Sequence, residues 1–355
     1  MKKGRLLIIA GLLLFSPGVL KAQNGFEQLL KAGPADATKL VEAYGKPLLK
    51  GFGLGMNSGW TNSAKTLDLF HVDVRVTATG VVVPASDKSF NVSKIGLSSN
   101  IGPAVPGKVI SPTFSGNRNV SGPEMNIYDD NGKKITSFHL PRGIFEDIVP
   151  TPQIQATVGL IQNTDFTVRA MPKVKINKDF GSISLIGFGI KHNIAQDFAV
   201  AGLSVPFDFA VAFSYNSLKY EKRLNLQPEG FAVPADKEQS TDFSNQKIYG
   251  QFDNYLFQAI FSKKISFFTP YVALGYNTSK AEVGIKGNYP IATNVTSDQI
   301  LYTTYTDPVK IEKTYVDGFR ADMGFELRFP IIRLYASYGI EGNYRLVNAG
   351  IGVGL

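Results

Sequence analysis

Between Phe319 and Phe329 every second residue is apolar, and each residue between is charged or glycine. A period of two is the signature of an extended strand whose faces meet different surroundings. Eleven residues is about twice the usual length of a strand in a soluble sheet. It is the length at which a tilted strand crosses a hydrocarbon layer. In a soluble sandwich the phenylalanines of this segment face a core, and Arg320, Asp322, Glu326 and Arg328 face water. In a closed membrane barrel the same phenylalanines face lipid and the charges face the lumen.

The period recurs along the chain. Phe70 to Ala78 sets His71, Asp73 and Arg75 on the polar face. Ile154 to Leu160 alternates with Gln153, Gln155 and Thr157. Phe166, Val168 and Ala170 oppose Asp165 and Arg169. Ile186, Phe188 and Ile190 oppose glycines and Lys191, and Phe207 to Tyr215 opposes Asp208. Ile332 to Ile340 opposes Arg333 and Glu341, and Val347 to Leu355 closes the series. Connections at Gln162-Asn163, Lys263-Lys264 and Phe329-Pro330 are short, whereas those near 220–246 and 281–311 are long and polar. Alternation of tight turns with long loops is the habit of outer-membrane barrels, the tight turns being periplasmic. The link from Asn193 to Val205 is of middling length and has room for a short helix. A hairpin is expected around Asp130-Asn131-Gly132. Counting this hairpin, the chain predicts an all-β fold: an antiparallel transmembrane barrel of about 14 strands (range 12–14), carrying a short N-terminal helical segment.

The start of the chain fits this destination. Lys2, Lys3 and Arg5 precede an apolar run from Leu6 to Phe15, the pattern of an export leader, with cleavage expected after Ala22. The run is too short for a membrane helix. Its removal takes four of the eight net positive charges, leaving about +4, too mild a surplus to indicate nucleic acid. Mean hydropathy of −0.01 with 25 Phe and 15 Tyr is what alternating strands produce. Three segments follow: a leader over 1–22, a helical plug or entry segment over 23–66 and a barrel over 67–355, the helical piece reading as a plug, as a periplasmic lid or as a surface helix that leads into the first strand. Within the plug, Leu29, Leu30, Leu40, Val41, Tyr44 and Leu48 recur at helical spacing between Phe26 and Leu49, interrupted at Gly33-Pro34, with Asp36 a candidate cap. Gly51 to Lys65 reads as an irregular connection at or inside the barrel mouth, with Asn57, Trp60 and Lys65 as its candidate contacts. Trp60 is either a packing anchor or a membrane-interface residue.

Chemistry is sparse. His71, His139 and His192 are scattered, and no carboxylate cluster has metal-ligand spacing. No cysteine exists and no serine sits in a nucleophile motif, so neither an enzyme nor a cofactor nor a metal is expected. The inward charges (His71, Asp73, Arg75, Asp165, Arg169, Lys191, Asp208, Arg320, Asp322, Glu326, Arg328, Arg333 and Glu341) read either as a polar path for a solute or as paired charges that fill the interior. Glycines 187, 189, 350, 352 and 354 make room inside the wall.

The runs AYGKPLLKGFGLGMNSGWTNSAKT (43–66), GFGIKHNIAQ (187–196) and PFDFAVAFSY (206–215) resemble a family of uncharacterised outer-membrane proteins of Bacteroidota, which is in turn similar to the FadL-type fatty-acid transporters. That resemblance implies a plugged barrel in the outer membrane of a Gram-negative bacterium, passing small hydrophobic compounds such as fatty acids. The alternative is a structural or surface-interaction barrel with a filled lumen. The implied partners are outer-membrane lipid and such solutes. No feature of the sequence assigns an oligomeric state.

Overall fold

The computed structural model describes residues 27–177, 181–200, 205–296 and 299–354. The expected leader and its cleavage after Ala22 lie outside the described residues. Among them, ten antiparallel strands close into one barrel, not the 12 to 14 predicted. They are β1 (Val72–Val82), β2 (Ile148–Leu160), β3 (Thr164–Asn177), β4 (Gly181–Asn193), β5 (Asp208–Arg223), β6 (Lys247–Ser262), β7 (Phe268–Lys286), β8 (Val309–Arg328), β9 (Ile332–Glu341) and β10 (Tyr344–Gly354). Each pairs with its neighbour in sequence, and β1 pairs with β10 to close the ring, Asp73 standing opposite Gly354 and Val82 opposite Arg345. A closed ring leaves no edge, so the strand backbone is hydrogen-bonded internally, as a lipid-facing wall requires.

The surplus in the prediction traces to a hairpin that joins another sheet, and two of the long connections also differ from expectation. The Asn131-Gly132 hairpin forms, but Glu124–Tyr128 and Lys134–His139 pair with Ile101–Pro103 in a separate small sheet. The link expected to be a loop over 281–311 consists of extensions of β7 and β8 joined by a second hairpin, Asn288–Val295 with Ile300–Thr306. Likewise β5 and β6 run on to Arg223 and from Lys247, which shortens the loop expected over 220–246. Local alternation makes a strand; it does not say which sheet the strand joins.

Outward side chains form an apolar belt near the short-turn end. Leu274 is 69 % exposed and Phe319 81 %, values that no soluble core strand would show. Two aromatic rows bound the belt. Phe188, Tyr215 and Tyr255 stack in succession on the upper side, with Tyr276 edge-on to Phe319. Phe207–Phe261 and Phe267–Phe329 lie on the short-turn side. Such rows mark the two water–hydrocarbon interfaces of a membrane barrel.

The N-terminal segment is one helix where two pieces were expected. A 3-10 turn, Glu27–Ala32, runs directly into α1, Gly33–Met56. Gly33-Pro34 therefore starts the helix, a place where proline's missing N–H costs nothing. Asp36 does not cap it; its carboxylate accepts from the backbone and hydroxyl of Ser98 instead. Gly51 to Met56, read as irregular, are helical. The expected short helix in the 193–205 link is α2, Ile194–Val200.

At the long-connection end the loops fold into a cap around the start of α1. Leu29, Leu30, Leu40, Val41 and Tyr44 are buried there against Met125, Phe138, Ile285, Tyr289, Ile291 and Ile311. Burying a leucine side chain contributes on the order of 1.5–3 kcal/mol, so this cluster fixes the helix start firmly. Below the cap, α1 descends into the lumen.

Candidate functional site in the barrel lumen

Ten strands spaced about 4.8 Å apart and tilted about 40° enclose a ring roughly 20 Å across, measured backbone to backbone. A helix with side chains is about 10–12 Å thick, so one fits only where both surfaces are small. The chain supplies glycine at the contacts. A Cβ on Gly51 would come within 2.7 Å of Val149, and one on Gly55 within 2.2 Å of the Thr151 hydroxyl, both on β2. On the opposite face of the helix, a Cβ on Gly53 would come within 2.4 Å of the Ser279 hydroxyl on β7. The helix is wedged between facing walls. Residue spacing explains it: positions two apart on a helix point about 200° apart.

Beyond Met56 the chain continues down the lumen to Thr66 as an irregular thread that turns at Asn57–Gly59, and inward polar residues grip it at successive levels. Asn57, the first candidate contact, is buried; its amide donates to the Tyr255 carbonyl at 3.1 Å and to Asn277 Oδ1 at 3.2 Å. Gln153 donates to the Gly55 carbonyl at 2.6 Å. Arg169 is wholly buried and donates to the carbonyls of Met56 at 2.7 Å and Ser58 at 3.1 Å, and to Gln155 at 2.7 Å. Trp60 sits inside the lumen, away from the membrane interface. Arg169 lies over its indole, Arg75 donates to its carbonyl, and Gly189 leaves the space its ring occupies. Lower down, Asn62 donates to Glu326 at 3.1 Å. Lys191 bridges Asp165 at 3.0 Å and donates to the carbonyls of Ser63 and Lys65, while Asp165 accepts from the Leu67 amide. Lys65 thus contributes its backbone to the network.

The remaining inward charges pair with one another. Arg320 binds Asp322 at 2.6 Å and reaches the Ser58 hydroxyl at 3.2 Å. Arg328 binds Glu326 at 2.8 Å. Arg333 binds Asp73 across the seam, and Tyr335 donates to the same carboxylate. Two expectations need correcting. His71 is exposed in the turn ahead of β1, because Phe70 adopts a positive φ of 60° and the strand begins only at Val72. Closure of the ring by the last strands leads the sequence to expect Glu341, like Arg333, beside Asp73 and Arg75 of the first strand; instead Glu341 lies at the other end of the lumen and accepts from Asn277. Asp208 stands at the short-turn rim and accepts from Asn193 at 2.9 Å. Of the glycines, only Gly189 faces the plug; a Cβ at 187, 350, 352 or 354 would meet neighbouring strands.

The inward amides were not among the expected site residues, although Gln153 and Gln155 were placed on the polar face of their strand. Gln153, Gln155, Asn216, Asn254, Gln258 and Asn277 are all buried, and Asn254 donates to Asn216 at 3.0 Å. They occupy the same parity as the inward charges, and that parity was the available clue. A burial cost of several kcal/mol per guanidinium is offset here by charge-assisted hydrogen bonds of about 1.5–3 kcal/mol each. Polar residues at successive levels therefore make a lock, filled by the chain itself. Among the described residues no group of histidines and carboxylates is placed to hold a metal, and no helix is long and apolar enough to cross a membrane.

By sequence the chain belongs to a family of unknown function, DUF6588, whose model matches residues 1–355. None of the curated proteins matches it. Among solved structures it is similar to the translocator domain of the autotransporter NalP from Neisseria meningitidis (12 % identity, 90 % of this chain and 98 % of that one, TM-score 0.28). It is similar also to Ail, the attachment invasion locus protein of Yersinia pestis (9 %, 81 % and 100 %, 0.24), and to the Pseudomonas putida toluene transporter TodX (9 %, 88 % and 96 %, 0.20).

Proposed function

We propose that this member of a family of unknown function is an outer-membrane barrel held shut by its own N-terminal segment, and that it works at the cell surface through its folded cap. The belt of outward apolar side chains between two aromatic rows supports the membrane assignment. Periplasmic turns are the short ones in such barrels, which sets the cap outside the cell. One observation carries the rest: backbone carbonyls of the plug at Gly55, Met56, Ser58, Trp60, Ser63 and Lys65 are each held by an inward side chain of the wall. A path for solute would have to break that series.

The test is conductance and solute flux in vesicles holding the refolded mature chain, beside a variant lacking residues 23–66. The filled-lumen reading expects the whole chain to pass neither ions nor sugars, and the shortened chain to leak. Sugar flux through the whole chain would overturn it.

A second reading keeps passive transport of hydrophobic compounds such as fatty acids. It is favoured by an apolar cleft in the wall of the cap, lined by Leu30, Leu226, Pro228, Tyr289, Ile291 and Tyr302, and it accords with the FadL-type resemblance of the sequence. This route requires the plug to move. Fatty-acid uptake by vesicles holding the whole chain, without sugar leakage, would favour it over the closed barrel.

A further inference from the structure

Above the row of Tyr215 and Tyr255 the outer wall changes character. Strand pairing places Lys175, Ser182, Glu221, Tyr249 and Lys310 in one row running across the strands, with Lys219, Gln251, Glu282 and Glu312 in the next row toward the belt. On β7 and β8 the charges balance: Lys280 binds Glu312 at 2.5 Å, and Lys310 approaches Glu282 at 3.6 Å. On β3, β5 and β6 they do not. Two acids stand there among the described residues: Asp253, which accepts from the Tyr215 hydroxyl at 2.9 Å, and Glu221, which already holds both Lys173 at 2.5 Å and Lys247 at 3.2 Å. These two lysines draw the Glu221 carboxyl below its ordinary value, Lys173 foremost. Lys175, Lys219 and Arg223 are exposed and have no ion-pair partner among the described residues. The wall therefore carries a concentrated positive surplus on one side of its circumference.

Height narrows the choice of occupant. Lys219 stands four residues beyond Tyr215, about 13 Å along the strand and roughly 10 Å along the barrel axis after tilt. Headgroups occupy the zone within about 5–8 Å of the hydrocarbon edge, which a lysine stem bending back toward the belt reaches. A basic cluster at that level faces the phosphates of neighbouring lipids rather than open water.

We propose that Lys173, Lys175, Lys219, Arg223 and Lys247 form a binding surface for the phosphate of an anionic lipid in the outer leaflet. The proposal rests on the membrane reading above. Glu221 holds Lys173 and Lys247 side by side, and the unpaired Lys175, Lys219 and Arg223 supply the net charge that captures the phosphate. A phosphorylated lipid at this position is favoured over a zwitterionic one by charge, and over a free phosphate by the continuity of the patch with the apolar belt below.

The experiment refolds the full chain into phosphatidylcholine vesicles with and without a minor fraction of diphosphoryl lipid A. Insertion is read by heat-dependent gel migration, and lipid retained after detergent extraction by mass spectrometry. The expected result is preferential retention of lipid A, lowered about tenfold in Lys219→Glu/Arg223→Glu at low ionic strength and weakened in the wild type by added salt. Lys280→Glu, on the balanced side, is expected to retain lipid A as the wild type does. Equal retention by the double variant overturns the proposal, as does retention of phosphatidylcholine and lipid A without preference. Failure of the chain to insert into phosphatidylcholine at all overturns the membrane reading and takes this proposal with it.

Discussion

The guanidinium of Arg169 stacks on the indole of Trp60, 3.8 Å from the ring centroid, while its nitrogens hold the carbonyls on either side of the helix end. One side chain of the wall thus fixes both the end of the helix and the aromatic anchor below it. Arg169→Ala should cost about 2–4 kcal/mol, from lost charge-assisted bonds and orphaned carbonyls. Denaturant midpoints in detergent check the magnitude. Arg169→Lys should recover less than half, because an ammonium cannot fork to two carbonyls and stack at once.

Gly55→Val should expel the helix end. Its Cβ would fall 2.2 Å from the Thr151 hydroxyl, and β2 is held on both edges and cannot withdraw. The barrel should still show heat-dependent migration, while protease should now cut between Asn57 and Thr66. Overpacking of this kind costs about 1–3 kcal/mol. An intact plug in this variant would show that the glycines are not what seats it.

Asp73 and Arg333 join β1 to β9 across β10. Asp73→Asn should destabilise the folded barrel by about 2–4 kcal/mol, since it strands a mostly buried cation. Asp73→Asn with Arg333→Met should cost less than Asp73→Asn alone. A double-mutant cycle on unfolding midpoints gives the coupling, and additive costs would mean the pair is idle.

Tyr289 stands in the cap, fully buried, donating to the Lys286 carbonyl at 3.2 Å. Burial holds its phenol well above the ordinary value of 10.0. The neutral ring therefore stabilises the cap fully below about pH 10. That contribution is lost as pH climbs from the unfolded value toward the folded one. Cap resistance to proteolysis should fall above pH 10, and Tyr289→Phe should flatten that fall.

How much of this was legible in the sequence depends on the range of the interaction. The β8 alternation from Phe319 to Phe329 identified outward-facing and lumen-facing residues, because parity along a strand is local. Asp322 and Glu326 were found for the same reason. The strand count failed because Glu124–Tyr128 alternates like a barrel strand, and only distant pairing sends it to the cap. Helicity over Gly51–Met56 was hidden as well. Glycine costs about 1 kcal/mol per residue in a helix, and here the close walls at Val149, Thr151 and Ser279 outweigh that cost. Trp60 was singled out, but its cation could not be, since Arg169 is 109 positions away and meets it only through the closure of the ring.

The helix that descends from cap to lumen has a consequence for how the molecule is put together. Its upper end is embedded in the apolar cluster of the cap, and its lower end is wedged between facing walls of the lumen. The β1–β10 seam joins the first strand to the last, so the segment ahead of β1 lies inside a ring with no open edge. The plug and the wall thus hold each other: the closed sheet encircles the helix, and the helix and the thread below it fill the space that the sheet encloses.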